Sequence, residues 1–222
     1  MIDIDRMQAE YHTFIAEIFR RLDAISESLA EIKSATNHLD CWKNCDFCWF
    51  QIRKICEYIA LAVVLAHHRD NGLIEDLSKW RPKDLLAQAA KLSDHPTPIQ
   101  ISNEIIETGN GERQLAPVTQ PIKIALISEI YGRCSNLLHV GSLERILESN
   151  MPAYDLAHLE IWLEGFERLL RNHILMLPQI ERILVCLHTK GSEAQPQIFL
   201  MEGKGQGIFV RDNLPEFALL AK

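Results

Sequence analysis

Three cysteines stand close together in the segment CWKNCDFC, at C-x₃-C-x₂-C spacing: Cys41, Cys45 and Cys48. Thiolates at such spacing could bind a metal, but a tetrahedral zinc site needs a fourth ligand, for example His38 or Cys56. Four well-spaced thiolates are not evident in this region. If Cys45 and Cys48 lie in the first turn of a helix, they are only neighbours three residues apart. Cysteine also packs in protein cores as a small hydrophobic residue, which is the interpretation we favour.

The same spacing resembles the motif with which radical SAM enzymes hold an iron–sulfur cluster. Such an enzyme also needs a strand before the cysteine loop, alternating strands and helices around it, and glycine-rich contacts to SAM. Here a long amphipathic helix precedes the cysteines and no such alternation follows. We therefore predict structural thiols, no metal and no cofactor. The segment should be the loop and first turn before a core helix, with Asp40 or Asn44 as the cap.

A second candidate site lies in YGRCSNLLHVGS, where Arg133 and His139 form an R-x₅-H arrangement. This resembles the R-x₄₋₆-H motif of the HEPN superfamily, helical bundles that include metal-independent endoribonucleases and non-catalytic binding domains. The resemblance implies that Arg133 binds the scissile phosphate and that His139 is acid or base on the ribose 2′-hydroxyl or the leaving oxygen. Imidazole suits that role because its unperturbed pKa is about 6.5. Asn136, inside the motif, is a supporting residue.

The spacing of Arg133 and His139 leaves two structural possibilities. Six residues of one α-helix turn through about 600° and rise about 9 Å, so the side chains would point about 120° apart. They could meet if the helix unwinds before His139, which Gly141 would allow, or across a dimer interface, as HEPN nucleases generally arrange them. Otherwise His139 caps the helix C-terminus and Arg133 lies on a solvated flank.

Arg53 and Glu57 are a third candidate pair, four residues apart within the apolar segment FQIRKICEYIALAVVLAHH. They could be a surface pair that stabilises the helix by about 0.2–0.5 kcal/mol. Alternatively they could be partly buried and face the bundle centre, where Glu57 would orient His139 or Arg133, since bundles build sites from facing helices. A QIRKICE-type helix together with a YGRC…LH segment also resembles a combination found in uncharacterised bacterial proteins.

Apolar periodicity predicts the elements that would position these residues. From Ile4 to Ile32 apolar residues recur at steps of three or four, which predicts a helix over about 4–34. Its stripe could form a dimer seam, but packing against the chain's own helices is favoured. Further predicted helices cover about 46–68, 82–92, 121–140, 143–149 and 154–176. A hairpin is predicted over 99–118 around Asn110-Gly111, and three short strands over 182–188, 197–201 and 207–210.

These elements predict a mainly α fold. It would be a HEPN-like helical bundle with a long N-terminal helix, an inserted β-hairpin and a small C-terminal β meander. We expect a helical domain over residues 1–177 and a β-rich appendage over residues 178–222.

Composition and charge narrow the function classes. The chain has 222 residues, 47% of them hydrophobic, and a net charge of −7, which disfavours a broad nucleic-acid surface but allows a local basic site. The N-terminus has no apolar signal segment, and the longest apolar run, residues 59–66, is too short to span a membrane. We expect a cytoplasmic protein that does not contact membranes.

Two hypotheses on function result. The first is an RNA- or nucleotide-binding protein, and an endoribonuclease if Arg133 and His139 work together, with a homodimer as the expected state. The second is a non-catalytic helical interaction or dimerisation module whose long first helix meets a partner protein.

Overall fold

The computed structural model describes residues 4–71, 81–91, 99–107, 113–117, 124–138, 156–177, 182–188, 195–204, 207–209 and 217–220. Within these ranges the chain is mainly helical with a smaller β-sheet, which confirms the predicted fold class at this level. The helices are α1 (Ile4–Ser34), α2 (His38–Asn71), α3 (Pro82–Ala89), α4 (Ile124–Leu138) and α5 (Leu156–Arg171). The strands are β1 (Ile99–Glu107), β2 (Arg113–Pro117), β3 (Asn172–Leu177), β4 (Arg182–Leu187), β5 (Gln197–Lys204), β6 (Gly207–Phe209) and β7 (Phe217–Leu220). The predicted helix over 143–149 and the Asn110-Gly111 turn lie outside the described residues.

The apolar stripe of α1 forms the centre of the core. Six of its side chains are at most 1% exposed: Met7, Tyr11, Ile15, Ile18, Leu22 and Ile25. α1 packs most extensively against α2, where the rings of Phe14 and Tyr58 lie 5.8 Å apart and Arg21 lies over the same tyrosine ring. Full burial of each large aliphatic side chain stabilises the fold by about 1.5–3 kcal/mol. The stripe is therefore used within the chain, and α1 does not offer it to a partner.

α2 begins at His38, well before the predicted start near residue 46, so the segment CWKNCDFC is helical and not a loop. The cap is Asn37, whose side-chain oxygen accepts a hydrogen bond from the backbone N–H of Asp40 at 2.9 Å. This bond satisfies one of the N–H groups that the first helical turn leaves free. The predicted caps were wrong, since Asp40 and Asn44 both lie inside the helix and Asn44 donates to Glu31 of α1.

The helix predicted over 154–176 ends earlier than expected. α5 stops at Arg171, and the next six residues, NHILML, form β3. A short continuous apolar run fits a buried helix or a buried strand equally well, so periodicity could not decide. The tertiary partner decides, because β4 pairs antiparallel with every residue of β3.

The predicted C-terminal strands are confirmed as β4, β5 and β6, and together with β3 they form an antiparallel meander. Leu175, Leu184 and Leu200 stand opposite one another on β3, β4 and β5. The predicted hairpin is also confirmed, as β1 and β2, but it is no separate excursion. β1 pairs with β3 through Ile99 and Gln100, so the hairpin belongs to the same sheet. The strand order is β1-β2-β7-β6-β5-β4-β3.

A buried polar contact connects α1 to the sheet. The Nδ1–H of His173 donates to the carbonyl of Leu170 at 2.8 Å, which leaves Nε2 as the acceptor for the Tyr11 hydroxyl at 2.8 Å. Both side chains are fully buried. Burial lowers the pKa of His173 to about 4, with the Leu170 carbonyl opposing that shift. The histidine is therefore neutral in the fold, which is the state that this pair of hydrogen bonds requires.

Acid should destabilise the fold through His173. The unfolded residue has a pKa of about 6.5, so between that pH and about 4 the unfolded chain binds one more proton at this site. The free energy of unfolding should fall by on the order of 1 kcal/mol for each pH unit as the pH falls through this window. Above it, His173 contributes no pH dependence. Urea unfolding followed by circular dichroism between about pH 7 and about pH 4.5 measures the slope.

The matched control is the double variant Tyr11→Phe/His173→Leu, which removes both partners and leaves no buried polar group of the pair unsatisfied. Its slope should be smaller than that of the wild type. An equal slope would show that His173 does not control the acid response.

Candidate functional site

Arg133 presents its guanidinium on the outer side of α4. The buried side of this helix is formed by Ile127, Ile130 and Cys134, which leaves Arg133 half exposed at 51%. Its Nε lies 3.9 Å from Glu129, whose own side chain is 63% exposed. An exposed pair at that distance contributes about 0–1 kcal/mol, so the guanidinium is not strongly neutralised. Asn136 follows one turn further along α4, three residues after Arg133 and hence on the same side.

The ring of Trp162 on α5 supports this arginine. The guanidinium carbon of Arg133 lies 5.9 Å from the ring centroid, a distance that permits a cation–π interaction. His158 meets the same ring edge-on at 5.8 Å, and Trp49 of α2 meets it edge-on at 5.2 Å. We call Arg133, Trp162 and His158 the α4–α5 face. It places a cation and an imidazole around one aromatic ring at the junction of two helices.

Sequence reasoning missed His158 and Trp162 as site residues. Both were assigned to a predicted helix, and Trp162 to its buried stripe. Their spacing of four residues was a usable signal, because side chains at i and i+4 are neighbours on a helix. No sequence pattern, however, indicates that Arg133 of α4 packs on that ring.

Arg53 and Glu57 are brought together, and they are partly buried, with side chains 20% and 13% exposed. Arg53 Nε lies 3.4 Å from one oxygen of Glu57, and Lys54 Nζ lies 2.7 Å from the other. Arg53 also reaches α4, where its guanidinium carbon lies 5.2 Å from the centroid of the Tyr131 ring and Nη2 lies 3.4 Å from the hydroxyl. The pair therefore connects α2 to α4.

The predicted site residues consequently fall into two groups. Arg53 and Glu57 lie beside Tyr131, whereas Arg133 contacts Glu129 and Trp162. Positions two residues apart on a helix are about 200° apart around the axis, so Tyr131 and Arg133 project from nearly opposite sides of α4. Among the described residues, no ion pair joins the two groups. His139 lies outside the described residues.

The cysteines of CWKNCDFC face the core. Cys45 and Cys48 are fully buried, and Cys41 is partly buried. Burial raises the pKa of Cys45 to about 12 and that of Cys48 to about 11, so both are protonated thiols at neutral pH. Within the described ranges, no three His, Cys, Asp or Glu side chains form a group suited to a metal ion.

A groove beside α1 is a further cavity that sequence reasoning missed. It has a volume of about 490 Å³ and lies where α1 passes the residues flanking β4 and β5. It is lined by His12, Thr13, Ala16, Glu17, Phe19, Arg20, Asp23, His188, Gln195 and Pro196. The ring of His188 packs on Phe19 at 4.0 Å, and burial lowers its pKa. Arg20 is paired with Glu17, and Asp23 adds a further negative charge, so the groove is a poor site for an anion.

No family model, curated protein or solved structure matches the chain. The resemblance to the HEPN superfamily therefore stays a prediction from the Arg133 motif and the helical layout. None of the helices in the described ranges has the length and apolar character needed to cross a membrane.

Thiol labelling tests the assignment of the cysteines. In the folded protein at about pH 8, Cys41 should react with a chromogenic disulfide reagent faster than the buried thiols, because accessibility and thiolate content control the rate. Unfolding in guanidinium should make all six thiols react. Cys41→Ser should remove the fast phase, whereas the control Cys48→Ser should keep it. A fast phase that survives in Cys41→Ser would contradict the burial of the other thiols.

Proposed function

We propose that the protein binds RNA or nucleotides through the α4–α5 face, as a HEPN-like homodimer. The observation that carries this proposal is the environment of Arg133. Its guanidinium is half exposed, it lies over the ring of Trp162, and its ion pair with Glu129 is long and exposed. Guanidinium groups bind phosphate oxygens in a bidentate geometry, and packing on an aromatic ring orients the group for such a ligand.

The acidic net charge of the chain limits the kind of ligand that this face can hold. A charge of −7 repels long duplexes, which are bound by broad basic surfaces. One arginine, with Asn136 one turn further along α4 and His158 on the same tryptophan ring, suits a few phosphates of a single strand or of a free nucleotide.

Cleavage would require an acid and a base beside the bound phosphate. In metal-independent transesterification the 2′-oxygen attacks phosphorus while a base takes its proton, and the 5′-oxygen leaves as an acid protonates it. The resemblance assigns His139 to one of these proton transfers, and His158 is a second imidazole, which contacts the same Trp162 ring as Arg133. Arg133 would stabilise the negative charge that develops on the phosphate oxygens.

The alternative function, a non-catalytic interaction or dimerisation module, is favoured by a different observation. α2 carries an apolar face that is exposed within the described chain, on a different helix from Arg133. A protein that dimerises but does not bind RNA would have this alternative function.

RNA binding should depend on Arg133 specifically. We expect Arg133→Ala to weaken binding of a labelled single-stranded RNA by about tenfold, which corresponds to about 1.4 kcal/mol, and to reduce the salt dependence by about one phosphate contact. Fluorescence anisotropy with chelator present measures both. Arg168→Ala is the matched control, because Arg168 is equally cationic, 63% exposed and paired with a glutamate four residues away. We expect it to change the affinity by less than about twofold, since one exposed charge removed elsewhere acts only through the net charge.

If Arg133→Ala and Arg168→Ala weaken RNA binding equally, the loss of affinity comes from the change in net charge, and this result would contradict a site at Arg133. Absence of RNA and nucleotide binding in the wild type would exclude the proposal entirely. In the same mixtures, chelator-resistant cleavage to 2′,3′-cyclic phosphate ends that His139→Ala abolishes would establish catalysis. Intact RNA would leave binding as the activity.

A further inference from the structure

The outward side of α2 carries an apolar face that the described chain leaves uncovered. Its members are large side chains with substantial exposure: Leu39 52%, Trp42 37%, Phe47 39%, Phe50 44% and Leu61 37%. Leu39, Phe50 and Leu61 follow one another at intervals of eleven residues, which is about three helical turns, so they lie along one line of the helix. Trp42 and Phe47 flank that line. We call these five residues the α2 face.

The α2 face leaves a sizeable apolar area in water. A fully exposed aromatic side chain presents about 150–250 Å², so its three rings alone leave on the order of 250 Å² of apolar surface in water. Apolar patches of a few hundred Å² on a monomer commonly mark interaction sites. The line of the face extends for about 33 Å, enough for contact along about six helical turns.

The line formed by Leu39, Phe50 and Leu61 is complementary to itself about Phe50. Two antiparallel copies of α2 can cross at Phe50. Each residue before Phe50 in one copy then stands opposite the residue that lies equally far after Phe50 in the other copy. Leu39 then faces Leu61 of the second copy, and Phe50 faces its own equivalent. A twofold axis requires such a pattern, because every contact occurs twice.

The charged residues along the face obey the same symmetry. Asp46 stands opposite Lys54, so the layer on each side of Phe50 pairs opposite charges. In a parallel arrangement in register, each of these residues would instead face its own equivalent and meet a like charge. Lys54 also lies near Phe50, with Nζ 5.9 Å from the ring centroid, which places a cation beside the apolar centre of the contact.

We propose that the α2 face is the interface of a homodimer in which two copies of α2 pack antiparallel about a twofold axis at Phe50. This inference deepens the dimerisation part of the proposed function and rests on it. Its test is separate from that of RNA binding, since Arg133 lies on α4. A contact made mainly by one helix from each copy falls at the small end of specific interfaces, so the dimer should dissociate on dilution.

Charge exchange across the axis tests the register. Asp46→Lys places two lysines opposite each other, and Lys54→Glu places two carboxylates opposite each other, so each single variant should weaken the dimer by at least about tenfold. The double variant Asp46→Lys/Lys54→Glu restores opposite charges, so its dissociation constant should return to about the wild-type value. Lys54→Gln is the control for the lost contact between Lys54 and Glu57, and its effect should be smaller than that of Lys54→Glu. Sedimentation equilibrium over a range of concentrations measures each dissociation constant, and circular dichroism confirms that each variant is folded.

The outcomes separate this interface from dimerisation itself. A wild type that is monomeric at all concentrations would overturn both the interface and the homodimer. If the wild type dimerises and neither the single variants nor Phe50→Glu weaken the dimer, this interface alone is overturned and the dimer contact lies elsewhere. A double variant as weak as the single variants would overturn the antiparallel register. RNA binding by Arg133→Ala and Arg168→Ala is measured separately. Absence of RNA binding would therefore not affect the conclusions on the dimer interface.

Discussion

The burial of the α1 stripe against α2 is the constraint on which the other contacts of this protein depend. A helix of 31 residues with one apolar face is stable only if that face is covered, and most of that cover comes from α2. Once one side of α2 packs against α1, the directions of its other sides are fixed as well. Arg53 then meets Tyr131 of α4, Trp49 meets Trp162 of α5, and Phe50 points away from the core.

Polar groups inside this apolar framework fix how the elements sit against one another. The Tyr11–His173 hydrogen bond joins α1 to β3 at a place where apolar packing alone would tolerate sliding. The partly buried charges of Arg53 and Glu57 are balanced by each other, by Lys54 and by Tyr131. Buried polar contacts of this kind add little net stability, but they penalise other registers because a shifted element would leave a polar group without a partner.

The two arginines of interest illustrate how one residue type takes two roles. Arg53 is surrounded by a carboxylate and a tyrosine and is mostly buried, so its charge is used to connect helices. Arg133 forms a long, exposed ion pair with Glu129 and lies over a ring, so its charge is less neutralised than that of Arg53. On this basis the binding proposal rests on Arg133, with Arg53 and Glu57 supporting the helix from which it projects.

The sequence by itself determined the helices with strong apolar periodicity, α1 above all, because one-sided burial leaves a periodic trace in the residue order. The C-terminal strands were recognised instead as short apolar runs joined by glycine-containing turns. It also indicated that the cysteines belong to the core. The tertiary structure alone decided the rest. NHILML became strand β3 because β4 pairs with it, and CWKNCDFC became helical because Asn37 caps α2. Trp162 came to lie beneath Arg133 because two helices distant in sequence pack together, and no local pattern records that contact.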